Sequence, residues 1–207
     1  MKPLPAHSIF EAELHLMVQP CEACDSGPLQ VTDETIEEAH IDSIVCVTSR
    51  CTSCGRSADT RFRIDSRWAE RSDPPVVNAT AEPSRLIDVA QWLTLYHILL
   101  KRSRESADRV AGRRLAYEAG LCITEALRFY EPDNELPPAS AFFSEHSRDQ
   151  ARAHPTHFAR ERLVGLRSGL PNLRSIPVGS RSVSAWKWWK FWQKPHSTAD
   201  SDATDCV

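Results

Sequence analysis

Four cysteines in two pairs carry the clearest chemistry of this 207-residue chain. Two residues separate Cys21 from Cys24 and Cys51 from Cys54, and the 26 residues 25–50 lie between the pairs. Each short spacing brings two thiolates together on one tight turn, and two such turns supply the four soft ligands of a tetrahedral Zn²⁺ site. Because four thiolates fill the coordination shell, we predict a structural site with no open position for a substrate.

Other interpretations of the cysteines fit the sequence less well. A redox pair of the thioredoxin type needs a βαβ setting, which the sequence does not predict, and structural disulfides are rare in the cytoplasm. Iron in a rubredoxin-like site uses the same four ligands, so the ion stays open between zinc and iron, with zinc preferred. His15 and His40 are weaker candidate ligands. Cys46 and Cys122 lie in apolar patterns and are expected in the core, whereas Cys206 lies near the chain end.

The elements around the cysteine pairs follow from local patterns. Ser8 and Glu11 have the spacing of a capping box, and the apolar stripe after them predicts a helix over residues 8–17. The acidic stretch near residues 35–41 is expected to form a long hairpin loop. Alternating apolar and polar residues predict three strands, at residues 29–32, 43–49 and 60–64.

The order of these elements is cysteine pair, two strands, cysteine pair and a final strand. Gly55 directly follows the second pair and suits the left-handed turn that closes such a cysteine knuckle. By these residues, segment 21–65 resembles the zinc-ribbon superfamily. The resemblance implies a small antiparallel sheet that is held at one end by the metal ion.

The middle of the chain has the apolar spacing of helices. Residues 84–104 and 106–130 carry apolar side chains at three- and four-residue steps, which predicts a long antiparallel helical hairpin. Gly112 and Gly120 lie inside the second helix, where we expect them to allow close packing against the first. Two shorter helices are predicted over residues 144–153 and 155–170.

Together these patterns predict an α+β fold with a helical domain after the sheet. No apolar run approaches the length of a membrane span, and the first ten residues lack the apolar core of a signal peptide, so we expect a cytoplasmic protein. The predicted parts are a zinc ribbon with an N-terminal helix in 1–65, a linker in 66–83, a helical domain in 84–171 and a disordered tail in 172–207.

Charge is distributed unevenly along the chain, which has a net charge of −3. Residues 1–65 hold five Lys and Arg against eleven Asp and Glu, a net of −6. Residues 163–199 hold six Lys and Arg and no acid. An acidic cysteine region is a poor electrostatic match for a phosphate backbone, which makes nucleic acid a less favoured partner.

The tail contains a segment rich in tryptophan and lysine, residues 186–194. On a helical wheel its lysines share one side and its tryptophans the other, as in helices that lie at a membrane surface. The segment could instead enter a partner's groove, stack on single-stranded nucleic acid or fold back onto the helical domain. Its candidate contact residues are Trp186, Lys187, Trp188, Trp189, Lys190, Phe191, Trp192 and Lys194.

The sequence contains no Gly-rich phosphate loop, no nucleophile elbow and no zinc-protease helix motif. We therefore expect a protein that is not an enzyme. The preferred hypothesis is a non-catalytic, zinc-binding interaction or scaffold protein whose partner is another protein, with a weak peripheral membrane contact through 186–194 as a further option. The alternative is a nucleic-acid-associated regulator that uses the ribbon and the basic C-terminal region.

Overall fold

The computed structural model describes residues 2–37 and 42–172 and confirms an α+β fold. Residues 173–207 of the predicted tail, with the segment 186–194, lie outside the described residues, as do His40 and Cys206. In chain order the main elements are β1 (Leu4–Pro5), α1 (Ile9–Val18), β2 (Leu29–Glu37), β3 (Asp42–Cys51), β4 (Ser57–Asp65), α2 (Val89–Glu105), α3 (Arg109–Leu127), α4 (Glu145–Ala153) and α5 (Arg160–Ser168).

Helix α1 begins where the capping pattern places it. Ser8 Oγ accepts a hydrogen bond from the Glu11 N–H at 3.0 Å, as in a capping box. The Glu11 carboxylate accepts from the N–H of His7 rather than from that of Ser8, so the reciprocal bond is shifted by one residue. Residues from Ile9 to Leu16 are all buried, because the helix packs against both β2 and α2.

The sheet has the strand order β1-β4-β3-β2. Strands β2, β3 and β4 are antiparallel neighbours, and the short β1 adds a parallel edge that the sequence patterns did not indicate. The expected long loop near residues 35–41 is wrong. Strand β2 continues to Glu37, which pairs with Ile44, and a β-bulge between Val31 and Asp33 takes up one further residue.

Acidic side chains in the second half of β2 have partners, which explains why this stretch extends the strand. Glu37 forms a 3.1 Å ion pair with Arg61 on β4. Glu34 accepts a 2.7 Å hydrogen bond from Arg71. Most of the 26 residues between the cysteine pairs therefore lie in two long strands, β2 and β3, rather than in a long loop.

Alternation along β3 sorts its side chains between two faces. Val45 and Val47 point into the core with Phe62 of β4 and are fully buried. Cys46 points the other way because successive side chains of a strand alternate, and it is only half-buried beside Arg61. The expectation of a core residue is thus wrong for Cys46.

Segment 66–88 is packed along the core. Ala69 and Val77 are buried, and the Ser8 hydroxyl donates to the Val77 carbonyl at 2.7 Å. Helix α2 begins after this segment, five residues later than predicted. The Asp88 carboxylate accepts from the Gln91 N–H at 2.9 Å, and the Gln91 side-chain oxygen accepts from the Asp88 N–H at 3.0 Å. This capping box determines where α2 begins.

Helices α2 and α3 form the predicted hairpin. A Cβ atom on Gly112 would lie 2.8 Å from the Ser103 carbonyl oxygen on α2, so this glycine does allow close approach of the two helices. Gly120 faces Arg167 of α5 instead, which corrects the expectation for that residue. Cys122 lies fully buried on the core side of α3, as predicted.

The last helices are shorter than the hairpin. Helix α4 is confirmed, with Ser144 accepting from the Ser147 N–H at 3.0 Å. The helix predicted over 155–170 is divided into a 3₁₀ turn at Pro155–Phe158 and α5, because Ala159 is extended. There the Arg160 N–H donates to the Glu135 carbonyl at 2.8 Å rather than continuing the first turn.

One cluster of buried apolar residues runs from α1 and the sheet through segment 66–88 into α2, α3 and α5. The division of the chain into a ribbon domain, a linker and a helical domain stays a prediction. Within the described residues, no helix is both long and apolar enough to cross a membrane.

Candidate metal centre

The structure brings together the four cysteines that the spacing selected. All four Sγ atoms lie within 4.8 Å of one another. The Cys21–Cys54 and Cys24–Cys51 sulfur pairs are both 3.7 Å apart. Tetrahedral coordination at the Zn–thiolate distance of about 2.3 Å requires sulfurs about 3.8 Å apart, whereas a disulfide requires about 2.05 Å. The arrangement therefore fits a metal ion and not a pair of disulfides.

Each cysteine pair sits on a turn that backbone hydrogen bonds close. In the first turn, the Asp25 N–H donates to the Cys21 carbonyl at 2.8 Å, and the Cys21 N–H donates to the Ser26 carbonyl at 2.6 Å. The second turn repeats both bonds, from Gly55 to Cys51 and from Cys51 to Arg56, each at 2.9 Å. Local backbone geometry thus orients the two sulfurs of each pair.

The two turns are also joined directly to each other. Thr52 donates to the Pro28 carbonyl from its N–H at 3.1 Å and from its hydroxyl at 3.2 Å. The Ser53 hydroxyl donates to the Gly27 carbonyl at 3.3 Å. The first turn connects α1 to β2 and the second connects β3 to β4, so an ion held here links α1 to the end of the sheet.

Exposure differs among the four sulfurs, and the pKa values of Cys51 and Cys24 are shifted in opposite directions. Cys21 and Cys51 are buried, with 5% and 1% of their surface exposed, whereas Cys24 and Cys54 face solvent. The N–H groups of Cys54 and Ser53 lower the pKa of Cys51 to about 6. At Cys24 the Ser26 N–H also favours the thiolate, but desolvation and the neighbouring sulfurs outweigh it and raise the pKa to about 12.

Cysteine binds a metal ion as the thiolate, so a cation held here would displace the thiol protons of all four residues. The N–H groups directed at Cys51 would then offset part of the negative charge of four thiolates. The donor set is therefore suited to a soft divalent ion.

His15, the histidine considered as a substitute ligand, lies elsewhere. It is buried on α1 against the ring of Phe62, with ring centroids 6.2 Å apart. Burial lowers its pKa, which favours the neutral imidazole. Throughout the described part of the chain, the four cysteines are the one group with the spacing of metal ligands.

Sequence patterns missed a set of buried acidic residues on α1 and α3. Glu13 pairs with Arg71, and Glu118 pairs with Arg114 at 3.3 Å. Burial raises the pKa of Glu118 to about 7, against the opposing charge of Arg114. The available signal was the i, i+4 spacing of Arg114 and Glu118 beside the apolar stripe of α3.

A second buried acid and its arginine partner lie at the C-terminal end of α3. Glu125 contacts Arg128 at 2.9 Å and accepts from the Asn78 side chain at 3.4 Å. Burial raises its pKa to about 7, and the charge of buried Glu11 adds to this. These acids join α1, α3 and segment 66–88; burial raises their pKa values, and the charges of their arginine partners oppose that shift.

No protein-family model, curated protein or solved structure matches this chain. The centre is therefore identified from the spacing and geometry of Cys21, Cys24, Cys51 and Cys54, which are consistent with a zinc-ribbon-like metal site.

Proposed function

We propose that this chain is a non-catalytic interaction protein in which a structural Zn²⁺ at the four cysteines stabilises a platform of sheet and helices. The observation that carries the metal role is the sulfur tetrad, with two pairs at 3.7 Å on turns that are already closed by backbone bonds. Four thiolates complete the coordination of zinc, which leaves no position for a reacting water or substrate.

The position of the site supports a structural role. The ion would join the turn after α1 to the turn between β3 and β4, two parts of the chain that are about 30 residues apart in sequence. Residues 22–26 and 52–54 of the two cysteine turns are exposed and bury little apolar surface, so the free energy of metal binding would add to the stability that the core supplies. Zinc is preferred over iron because four thiolates and a redox-inactive ion suit a purely structural site.

Metal analysis of the purified protein tests this part. We expect about one equivalent of zinc, no visible charge-transfer colour of iron, and a lower thermal midpoint after chelation. A protein that is purified without metal, binds no added Zn²⁺ and keeps its thermal midpoint in chelator would exclude the structural role.

The interaction role rests on two features. Phe143 and Leu136 stay 42% and 46% exposed in the connection between α3 and α4, although large apolar side chains are generally buried. Segment 186–194 adds four tryptophans and three lysines. Tryptophan is enriched at binding hot spots, so we assign external binding to this segment, with another protein as the preferred partner and an anionic membrane surface as the other option.

Paired variants separate these two targets. The triple variant Lys187→Glu, Lys190→Glu, Lys194→Glu should lose binding to vesicles with anionic lipid, because that attraction is electrostatic. Replacing Trp188 and Trp192 with Ala should remove capture of a protein partner that the full chain retains. If neither variant changes vesicle co-sedimentation or partner capture, the segment has no binding role.

The nucleic-acid alternative is less well supported by the charges on the sheet. On the outward face of β4, Arg61 pairs with Glu37 at 3.1 Å and Arg63 lies 3.8 Å from Asp42. These arginines are therefore already engaged by acids. Steep loss of DNA or RNA binding with rising salt would be the signature of the alternative.

A further inference from the structure

An aromatic pair with one exposed ring spans the connection that follows α3. The rings of Phe129 and Phe143 meet edge to face with centroids 6.1 Å apart. Phe129 packs partly against the core, whereas Phe143 is 42% exposed. The Phe143 N–H donates to the Asp88 carboxylate at 3.0 Å, which fixes this residue at the start of α2. The pair is thus held firmly and still faces solvent.

Four exposed acids lie in the same stretch of sequence as this aromatic pair. Residues 129–147 contain Glu131, Asp133, Glu135 and Glu145 and no Lys or Arg. In the part of the chain that the structure describes, none of the four carboxylates forms an ion pair, and the Glu131 carboxylate accepts a hydrogen bond from the Asn134 side chain at 2.8 Å. We call Phe129, Glu131, Asp133, Glu135, Phe143 and Glu145 the acidic aromatic surface.

This surface is complementary to one segment of the same chain. Residues 163–199 hold six basic residues and no acid, the reverse of residues 129–147. We propose that segment 186–194 docks on the acidic aromatic surface of its own chain, with its tryptophans against Phe129 and Phe143 and its lysines facing the four acids. Opposite charges steer such contacts, and aromatic packing stabilises them.

The length of the chain permits this contact. Helix α5 begins beside the acidic loop, where the Arg160 side chain donates to the Glu131 carbonyl at 3.1 Å, and it ends near Thr124, which accepts from Arg167 at 3.2 Å. Along α3, Thr124 is about 8 Å from the position of Phe129. The 13 residues 173–185 precede the segment, and a chain of that length can reach at most about 45 Å.

Docking would cover the tryptophans in the free protein and make them available only when an external partner or surface competes. The inference rests on the binding role proposed above for the segment, but it concerns the protein alone. Cross-linking tests docking, while partner capture and vesicle co-sedimentation test external binding, so the two can fail separately.

Zero-length carbodiimide cross-linking of the metal-loaded full chain is the decisive experiment, because it joins only amines and carboxylates that are in contact. Lys187, Lys190 and Lys194 should cross-link to the four acids of the surface within the monomer, whereas Lys2 and Lys101 serve as internal controls. Raising the salt to about 0.5 M should lower the yield several-fold, since the Debye length falls below about 5 Å.

A matched pair of variants tests the aromatic contact. Phe143→Ala leaves every carboxylate in place and should lower these cross-links at least about three-fold, if ring packing contributes about 0.7 kcal/mol or more. Val164→Ala removes a comparably exposed apolar side chain from α5 and should leave them unchanged. Zinc content and circular dichroism establish that both variants are folded.

Three results would overturn the proposal. One is cross-linking of the segment equally to remote exposed acids such as Glu22, Asp33, Glu70 and Glu105. Another is cross-linking confined to dimers, which would indicate exchange of segments between two copies. The third is an unchanged yield in Phe143→Ala.

Discussion

Asp25 and Gly55 occupy equivalent positions in the two cysteine turns. Each follows the second cysteine of its pair, and each has a positive φ, 51° for Asp25 and 75° for Gly55. Each also donates its N–H to the carbonyl of the first cysteine, at 2.8 and 2.9 Å. The two turns are thus the same backbone motif built once with aspartate and once with glycine, and a left-handed conformation is easy only for glycine.

The first prediction is that Asp25→Gly stabilises the metal-loaded protein by up to about 1 kcal/mol, because the residue already adopts a conformation that side chains disfavour. Urea unfolding of the zinc-loaded protein measures the change. Asp25→Asn is the matched control: asparagine tolerates this conformation but lacks the charge, so its effect isolates the repulsion from the thiolates. A destabilised Asp25→Gly protein would contradict the prediction.

The second prediction concerns the metal ligands. Cys24→Ser should lower bound zinc well below one equivalent after dialysis and cost several kcal/mol of stability, since a serine hydroxyl is a poor ligand for this ion. Cys46→Ser changes a half-buried thiol outside the tetrad and should retain full zinc. Elemental analysis of both proteins decides the matter; equal zinc content would show that Cys24 is not a ligand.

The third prediction contrasts the two glycines of α3. Gly112→Ala should destabilise the protein by about 1–3 kcal/mol, because its Cβ would meet the Ser103 carbonyl at 2.8 Å and the helices would have to separate. Gly120→Ala meets the guanidinium of Arg167 at 3.3 Å, a side-chain end that can move. Alanine's higher helix propensity should then make this change neutral or stabilising by up to about 1 kcal/mol. Thermal unfolding of the two variants provides the comparison.

The fourth prediction is a pH dependence from Glu118. Burial raises its pKa from 4.5 to about 7, so between these values the folded protein holds a proton that the unfolded chain has released. The stability that this proton gives is fully present below pH 4.5 and is lost as the pH rises through 7. Relative to Glu118→Gln, the wild-type free energy of unfolding should fall by about 2 kcal/mol from pH 5.5 to 8.

Comparison of variants isolates this effect from the metal site. Acid releases zinc from thiolates and lowers stability in the opposite direction, but it does so equally in wild type and Glu118→Gln. Glu70→Gln removes an exposed acid and should follow the wild-type pH profile. A profile of Glu118→Gln that is parallel to wild type would show that Glu118 titrates normally.

Local patterns in the sequence were sufficient for the metal site and for most elements. The C-x-x-C spacing alone brings two sulfurs onto one turn, because a four-residue turn is a short-range property of the backbone. A capping pattern predicted the start of α1 nearly to the residue, and apolar periodicity predicted the α2–α3 hairpin. Each of these features depends on residues within a few positions of one another.

Features that depend on distant partners required the tertiary structure. The acidic stretch at Glu34 and Glu37 continues β2 because Arg71 and Arg61 lie beside it, and neither arginine is near in sequence. Local sequence patterns likewise did not predict the packing of Gly120 against α5, the outward direction of Cys46 or the burial of Glu118. Spacing along the chain thus determined which residues form the candidate metal site. Long-range packing decided which charges are buried and which aromatic residues stay exposed, because burial is a property of the assembled core.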